Sequence, residues 1–303
     1  MDTQIGVTAP AKINLRLKVC GLREDGYHLL SMLNATLSLS DALAITRTAT
    51  PGVSLRLDPQ HALPGLGAGP ENLCVKAAAA YLAQNPLAGG VAIDLTKRIP
   101  IGGGLGGGSS DAAAVLMALN QMSERPLDRA ALFKLALRLG ADVPYFLAGG
   151  LCWVGGVGEE CVRVDPHPLA GNECILIDPG FPTATAEVYA LSRRRAAIKP
   201  TPDQPLARLD QPSRETILEL IDNDLWPFVE ELKPALKTLR AVLGTFRFAK
   251  CGLSGSGSTL FLVHVSRDKF EPSEITEIAG ALRPFKVNFL VTNFLPNPKS
   301  HVK

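Results

Sequence analysis

The stretch Pro100-Ile-Gly-Gly-Gly-Leu-Gly-Gly-Gly-Ser-Ser110 is the most informative part of this sequence. Six of the seven residues from Gly102 to Gly108 are glycines, so backbone N–H groups can approach an anion closely and φ can be positive. Upstream, the alternation of apolar and polar residues over Val91 to Thr96 predicts a strand. Downstream, apolar residues recur at helical spacing from Ala112 to Leu119. The sequence therefore predicts a strand, a glycine loop and a helix whose N-terminus favours a phosphate.

Three side chains at the junction of loop and helix add chemistry to this prediction. Ser109 and Ser110 are expected as N-caps of the helix, and their hydroxyls are also candidate ligands for a phosphate or a metal. Asp111 suits the positive end of the helix dipole. Its alternative role is at a metal, because a carboxylate beside phosphates is repulsive unless a cation lies between them.

Other glycine-loop families are disfavoured by the residues around the loop. A Walker A loop requires a lysine directly after its last glycine, and none follows here. A dinucleotide fingerprint matches Gly102, Gly104 and Gly107, but a glycine-rich run matches that pattern by default and Pro100 interrupts the strand-to-loop step. The H-R-D and D-F-G motifs of protein kinases are absent. A flexible linker is the structural alternative, against which the amphipathic helix argues.

Composition restricts the class of protein. The chain has 303 residues, 46% hydrophobic and 20% charged, with a net charge of +2, which argues against partners such as nucleic acid or a membrane surface. Six scattered cysteines without a C-x-x-C pair predict reduced thiols and no structural zinc. The N-terminus shows no signal-peptide pattern, and no apolar run is long enough to cross a bilayer. We therefore expect a cytoplasmic enzyme.

The rest of the chain mixes strands and helices. Lys12 to Val19 alternates, which predicts a strand with one apolar face and one face carrying Lys12 and Asn14. That polar face either meets solvent or lines a site. Further strands are expected at 173–178, 260–265 and 287–291, and helices at 213–222, 228–243 and from Asp128 to Gly140. The order lacks strict βαβα alternation, so the predicted class is α+β.

The glycine loop, followed by Asp111-Ala-Ala113, resembles the phosphate-binding motif of the GHMP kinase superfamily. Three other segments resemble those members that phosphorylate a cytidine diphosphate-linked methylerythritol: Pro10 to Leu15, Asp25 to His28 and Leu139 to Pro144. Beyond residue 150 the likeness rests on Pro182-Thr183, Asn223-Asp-Leu225 and Leu253 to Gly257. The likeness is dense over residues 10–150 and thinner beyond, where Ser258 stands in place of the proline more often found.

This resemblance implies a two-domain GHMP kinase fold. Residues 1–165 would form an N-terminal ATP-binding domain like ribosomal protein S5 domain 2. Residues 166–303 would form a ferredoxin-like C-terminal domain, with the boundary in the proline-containing stretch Asp165 to Gly171. The implied activity is transfer of the ATP γ-phosphoryl group, with Mg²⁺, to the 2-hydroxyl of the methylerythritol moiety.

The resemblance also assigns roles to residues. Asp142 is the implied general base, although a cap of a helix starting at Val143 is its structural alternative. Lys12 is the implied electrostatic partner. The implied ATP-binding residues are Pro100, Ile101, Gly102, Gly103, Gly104, Leu105, Gly106, Gly107, Gly108, Ser109 and Ser110. The implied substrate-binding residues are Asn14, Tyr27, His28, Thr183 and Tyr189, with the Tyr27–His28 pair meeting the cytosine. No metal ligands are assigned.

Two alternatives remain open at this point. One is another GHMP small-molecule kinase with a different acceptor, against which the segment Asp25 to His28 argues. The other is a nucleotide-binding regulator that has lost catalysis, against which the presence of both Lys12 and Asp142 argues.

Overall fold

The computed structural model describes residues 4–23, 28–61, 63, 65–195 and 212–298. The strands in these residues are β1 (Gln4–Leu22), β2 (His28–Thr48), β3 (Gly52–Leu57), β4 (Gly90–Thr96), β5 (Leu151–Gly155), β6 (Glu160–Arg163), β7 (Glu173–Asp178), β8 (Asp222–Asn223), β9 (Ala249–Leu253), β10 (Leu260–His264) and β11 (Asn288–Asn293). The helices are α1 (Leu73–Gln84), α2 (Gly107–Met122), α3 (Arg129–Leu139), α4 (Val143–Ala148), α5 (Thr185–Arg195), α6 (Arg214–Glu219), α7 (Trp226–Leu232), α8 (Pro234–Leu243) and α9 (Pro272–Leu282).

The chain folds into two compact units that alternate along the sequence. The first takes its described residues from 1–11, 39–101 and 106–148, and the second from 12–38, 102–105 and 149–303. The α+β class is confirmed, since both units combine helices with a sheet that contains antiparallel strand pairs. The domain boundary at residues 165 and 166 stays a prediction.

In the first unit, a short sheet carries a layer of helices. Strand β4 pairs antiparallel with the C-terminal part of β2 and parallel with β3. Helix α2 packs against α1, α3 and α4. Its buried face consists largely of alanine, from Ala112 to Ala118, which lets neighbouring helices approach closely.

In the second unit, the N-terminal part of β2 pairs with β5, which in turn pairs with β6. Strand β1 pairs with the short strand β8. A separate antiparallel sheet has the order β11-β7-β10-β9. Its central strand β10 is buried along its whole length, which explains the apolar run Leu260 to Val263.

Several elements match the sequence predictions. Strand β7 covers the predicted 173–178, and helix α3 starts after Asp128, whose side chain accepts a hydrogen bond from Ala131 N at 2.8 Å. Gly140 follows the end of α3, as expected. The predicted helices at 213–222 and 228–243 are in fact three, α6, α7 and α8. A new helix begins at Pro234, which lacks the N–H that would continue α7.

The expected start of α2 was wrong. The residue preceding the helix is Gly106, not Ser109 or Ser110, and no side chain caps it. Asp111 lies beyond the first turn, where it is buried and ion-paired.

Each of the six cysteines is a free thiol, as predicted. Within the described ranges, no helix has the length and apolar character needed to span a bilayer.

Candidate active site

The glycine loop takes a backbone path that only glycine adopts without strain. Gly102, Gly104 and Gly106 have φ angles of 73°, 78° and 71°, in the left-handed region. Helix α2 begins directly afterwards. Within the described residues no side chain caps it, so the N–H groups of its first turn are available to bind an anion. The backbone at the start of α2, in the first unit, is therefore suited to phosphate oxygens.

Residues of the second unit hold the loop by hydrogen bonds to its backbone carbonyls. Ser254 Oγ donates to the Gly104 carbonyl at 2.8 Å, and the backbone N–H of Thr259 donates to the Gly103 carbonyl at 3.1 Å. Thr183 N donates to the Gly102 carbonyl at 3.2 Å. A Cβ atom added at Gly104 would lie 2.1 Å from the Ser254 carbonyl oxygen, so this approach requires glycine. The second glycine cluster, Gly252 to Gly257, is thus the support of the first.

Asn223 explains why an Asn-Asp-Leu motif accompanies the second cluster. Its side-chain Nδ2 donates to the carbonyls of Leu253 and Gly255, at 2.9 and 2.8 Å, and its Oδ1 accepts from Leu225 N at 2.8 Å. Asn223 is buried. All three of these bonds satisfy buried groups, so Asn223 fixes the shape of the second cluster.

In the first unit, three buried charges lie at the base of α2. The Lys97 ammonium donates to carboxylate oxygens of Asp41 and Asp111, the latter at 2.8 Å. Asp41 also accepts from the backbone N–H groups of Arg98 and Ile99. A Cβ added at Gly107 would lie 3.1 Å from Lys97 Nζ, so this cation directly adjoins the helix start.

Asp41, Lys97 and Asp111 form a buried triad, and burial shifts the pKa values of Lys97 and Asp111. Burial raises the pKa of Asp111 to about 7; the ammonium of Lys97 lowers it in part, and the charge of Asp41 raises it further. Burial acts to lower the pKa of Lys97, but the two carboxylates outweigh it and the pKa is raised. Lys97 therefore remains charged at neutral pH, while Asp111 is able to exchange a proton there.

Two polar side-chain atoms in the first turns of α2 lack hydrogen-bond partners among the described residues. They are Ser110 Oγ and Asp111 Oδ1, and both are buried. Unpaired buried oxygens are costly unless a ligand or ion meets them. These atoms are therefore candidates for contact with a nucleotide or its metal ion.

Lys12 and Asn14 lie together on one face of β1, as the alternation predicts. Lys12 Nζ donates to Asn14 Oδ1 at 2.7 Å, and Lys12 N donates to the Leu105 carbonyl at 3.0 Å. The two side chains are buried, with 3% and 1% of their surface exposed. The polar face of this strand therefore does not simply meet solvent, and the second of these bonds connects Lys12 to the glycine loop.

The predicted base-reading residues are only partly described. Tyr27 lies outside the described residues. The imidazole of His28 and the ring of Tyr189, on α5, lie with their centroids 4.7 Å apart. Burial, and to a smaller extent the charge of Arg193, lowers the pKa of His28, which favours the neutral imidazole. The structure thus brings two of the predicted acceptor-binding side chains together.

The remaining predicted residues have clear positions. Thr183 is buried, and its hydroxyl lacks a hydrogen-bond partner within the described part of the chain. Asp142 is half-buried and immediately precedes α4 in the first unit. The catalytic and binding roles of all these residues stay predictions.

Sequence reasoning missed the Asp41–Lys97 pair and Asn34, which accepts from Asn14. Lys97 and Asp41 are 56 residues apart, and both stand in ordinary strand patterns. Lys97 does precede the loop closely, and that proximity was the one available signal.

Comparison with known proteins places these features in a family. A model described as the GHMP kinases N terminal domain matches residues 72–150. A relative from Citrifermentans bemidjiense, named 4-diphosphocytidyl-2-C-methyl-D-erythritol kinase, is 36% identical over 85% of this chain and 89% of its own length. One of the same name from Halorhodospira halophila is 38% identical over 84% of this chain and 82% of its own.

Solved structures agree with the sequence relatives. A 4-(cytidine 5'-diphospho)-2C-methyl-D-erythritol kinase matches with a TM-score of 0.74 and 35% identity, covering 95% of this chain and 99% of that one. Homoserine kinase from Cytophaga hutchinsonii matches with a TM-score of 0.70 and 20% identity, over 98% of this chain and 96% of its own, which shows the common fold alone. The chain therefore belongs to the 4-diphosphocytidyl-2-C-methyl-D-erythritol kinase family of the GHMP kinases.

Proposed function

We propose that this chain transfers the γ-phosphoryl group of ATP to the 2-hydroxyl group of 4-diphosphocytidyl-2-C-methyl-D-erythritol, in non-mevalonate isoprenoid synthesis. The observation that carries the proposal is the positive-φ glycine loop leading into an uncapped helix, in a chain whose relatives bear this enzyme name. The loop supports phosphoryl transfer, and the relatives support the acceptor. A cytoplasmic location is part of the same proposal.

Nucleotide phosphates would bind to backbone N–H groups of the glycine loop. The loop is held in shape before the nucleotide arrives, because the Gly103 and Gly104 carbonyls accept hydrogen bonds from Thr259 N and Ser254 Oγ. In the first unit, the first turn of α2 offers N–H donors of the same kind. Preorganised donors stabilise transferring charge without paying for reorganisation. The Lys97 cation behind Gly107 adds a favourable potential in the first unit.

Mg²⁺ fits the oxygen atoms available at the start of α2. Ser110 Oγ and Asp111 Oδ1 are hard donors without a hydrogen-bond partner in the described ranges, so they would hold the ion together with phosphate oxygens. Across those same ranges, His, Cys, Asp and Glu side chains form no cluster of three that suits a metal. When bound, the ion would neutralise charge on the phosphates.

Asp142 is proposed as the general base that accepts the proton of the acceptor hydroxyl. A positioned carboxylate is a group that can take the proton of an attacking hydroxyl, and Asp142 lies half-buried directly before α4. Lys12 is proposed to stabilise the charge that develops on the transferring group, because its buried ammonium acts in a medium of low dielectric constant.

The acceptor would be bound by residues of the second unit. His28 and Tyr189 offer an aromatic surface and hydrogen-bonding atoms for the cytosine, with Tyr27 expected to join them. The Asn14 amide and the Thr183 hydroxyl, which has no hydrogen-bond partner in the part of the chain that the structure describes, are proposed as further polar contacts.

A phosphoryl-transfer assay across several acceptors tests this function. The purified protein would be incubated with ATP, Mg²⁺ and one of 4-diphosphocytidyl-2-C-methyl-D-erythritol, mevalonate or homoserine, with products followed by ³¹P NMR. We expect a new phosphomonoester signal with the first compound only. Equal or faster transfer to mevalonate or homoserine would refute the acceptor assignment, and transfer to none would refute the kinase assignment.

A further inference from the structure

A chain of three buried side chains starts at the Lys12 ammonium. An ammonium donates hydrogen bonds and accepts none. The atom of Asn14 that lies 2.7 Å from Lys12 Nζ must therefore be the carbonyl oxygen, Oδ1. This contact orients the oxygen of the Asn14 amide towards Lys12.

The other end of the Asn14 amide is equally constrained. Its Nδ2 donates to Asn34 Oδ1 at 2.6 Å and lies 3.4 Å from Met32 Sδ, a weak acceptor. Asn34 is on β2 and has 0% of its surface exposed. Asn34 Oδ1 is therefore the strong acceptor that holds the Asn14 amide against rotation.

We propose that Asn34 is a positioning residue for phosphoryl transfer, acting through Asn14 to fix the Lys12 ammonium. This inference rests on the proposed role of Lys12. Without the acceptor on Asn34, the Asn14 amide can rotate or withdraw, and its oxygen no longer defines where the ammonium lies. A shift of about 1 Å in a group that stabilises the transition state can cost about a hundredfold in rate. Asn14 Oδ1 retains a second lone pair. Its bond to Lys12 is therefore compatible with the proposed contact of Asn14 with the substrate.

A purely structural role for Asn34 predicts a different outcome. Loss of a buried hydrogen bond lowers the free energy of unfolding but leaves kcat of the folded fraction intact. Thr36, two residues along the same strand, provides the matched control. It is buried, and its hydroxyl accepts a hydrogen bond from Gly150 N at 3.1 Å, which is not a member of the three-residue chain.

The kinetic test compares Asn34→Leu, Asn34→Asp and Thr36→Val. Asn34→Leu removes the acceptor at similar volume, and we expect kcat to fall by about ten- to a hundredfold with KM for ATP within about twofold. Asn34→Asp keeps an oxygen at the Oδ1 position and should restore kcat to within about threefold of wild type. Thr36→Val should lower Tm with kcat unchanged. If Asn34→Leu keeps wild-type kcat, or if Asn34→Asp fails to restore it while remaining folded, the proposal is overturned.

A second measurement does not depend on turnover. In protein labelled with ¹⁵N-lysine, hydrogen exchange at Lys12 Nζ reports how firmly the ammonium is held. We expect exchange at least about fivefold faster in Asn34→Leu than in wild type or Asn34→Asp, because loss of one buried hydrogen bond loosens the hold on the ammonium. Equal exchange in all three would overturn the proposal. A wild-type protein that fails to phosphorylate the acceptor would instead refute the proposed function, and the exchange rates would still judge the role of Asn34.

Discussion

Replacing Gly104 by alanine should selectively weaken ATP binding. Gly104 has a φ of 78°, and a Cβ there would lie 2.1 Å from the Ser254 carbonyl oxygen and 3.1 Å from that of Gly257. Both neighbours are backbone atoms, so no side chain can rotate away to make room. The loop must therefore leave its present path.

A lower bound on the loss of ATP affinity follows from the backbone strain. A left-handed conformation costs an alanine roughly 1–2 kcal/mol. Each 1.4 kcal/mol corresponds to a factor of ten in affinity, so strain alone would weaken ATP binding by about five- to thirtyfold. The overlap with Ser254 adds to this, and we expect a Kd for ATP at least about tenfold above wild type.

Isothermal titration calorimetry with an ATP analogue measures this effect directly. Gly280→Ala is the matched control, because Gly280 lies inside α9 and its added Cβ meets no atom within 4 Å. The control should bind ATP like wild type and gain about 0.5–1 kcal/mol of stability. An ATP affinity of Gly104→Ala within twofold of wild type would contradict the assignment of the loop to the phosphate site.

Three further changes test other parts of the account. Asp142→Asn should lower kcat by about 10²–10⁴ with ATP affinity retained, measured by steady-state kinetics and calorimetry; a loss below tenfold would leave Asp142 as a helix cap. Tyr189→Ala should raise KM for the acceptor but not for ATP, since it removes the ring beside His28; a matching rise for ATP would argue against a base-binding role. Burial raises the pKa of Asp111 to about 7, so the folded protein holds a proton that the unfolded chain releases near pH 4. The free energy of unfolding should therefore fall as pH rises from about 4 to about 7, and urea titrations should find this slope flattened in Asp111→Asn; an unchanged slope would show that other groups cause it.

Much of the fold followed from local patterns in the sequence. Period-two alternation gave strands β1 and β4, and an aspartate and a glycine gave the ends of α3, because these signals act over a few residues. The helix region after residue 213 was resolved less well. There, Pro234 divides a continuous apolar pattern into two helices, and pattern alone does not show where one ends.

The candidate site was predictable where chemistry follows from a motif. The glycine-rich run predicted positive φ angles, and the structure shows them at Gly102, Gly104 and Gly106. The expected approach of the loop to phosphate stays a prediction. Contacts that depend on tertiary structure were not predictable. The pairing of Lys97 with Asp41 and the contact of Asn14 with Asn34 join residues 56 and 20 positions apart. The prediction of a serine cap was wrong because the helix starts directly after Gly106, where the backbone leaves the left-handed region.

The relative turnover of two acceptors tests whether the enzyme requires the cytidine group of its substrate. The value of kcat/KM would be measured with 4-diphosphocytidyl-2-C-methyl-D-erythritol and with methylerythritol phosphate, which lacks the cytidine group. Binding of the remote base should position the 2-hydroxyl for transfer, so its loss should lower kcat as well as raise KM. We predict a kcat/KM at least about a hundredfold higher for the cytidine-linked acceptor. Comparable values for both would contradict the account.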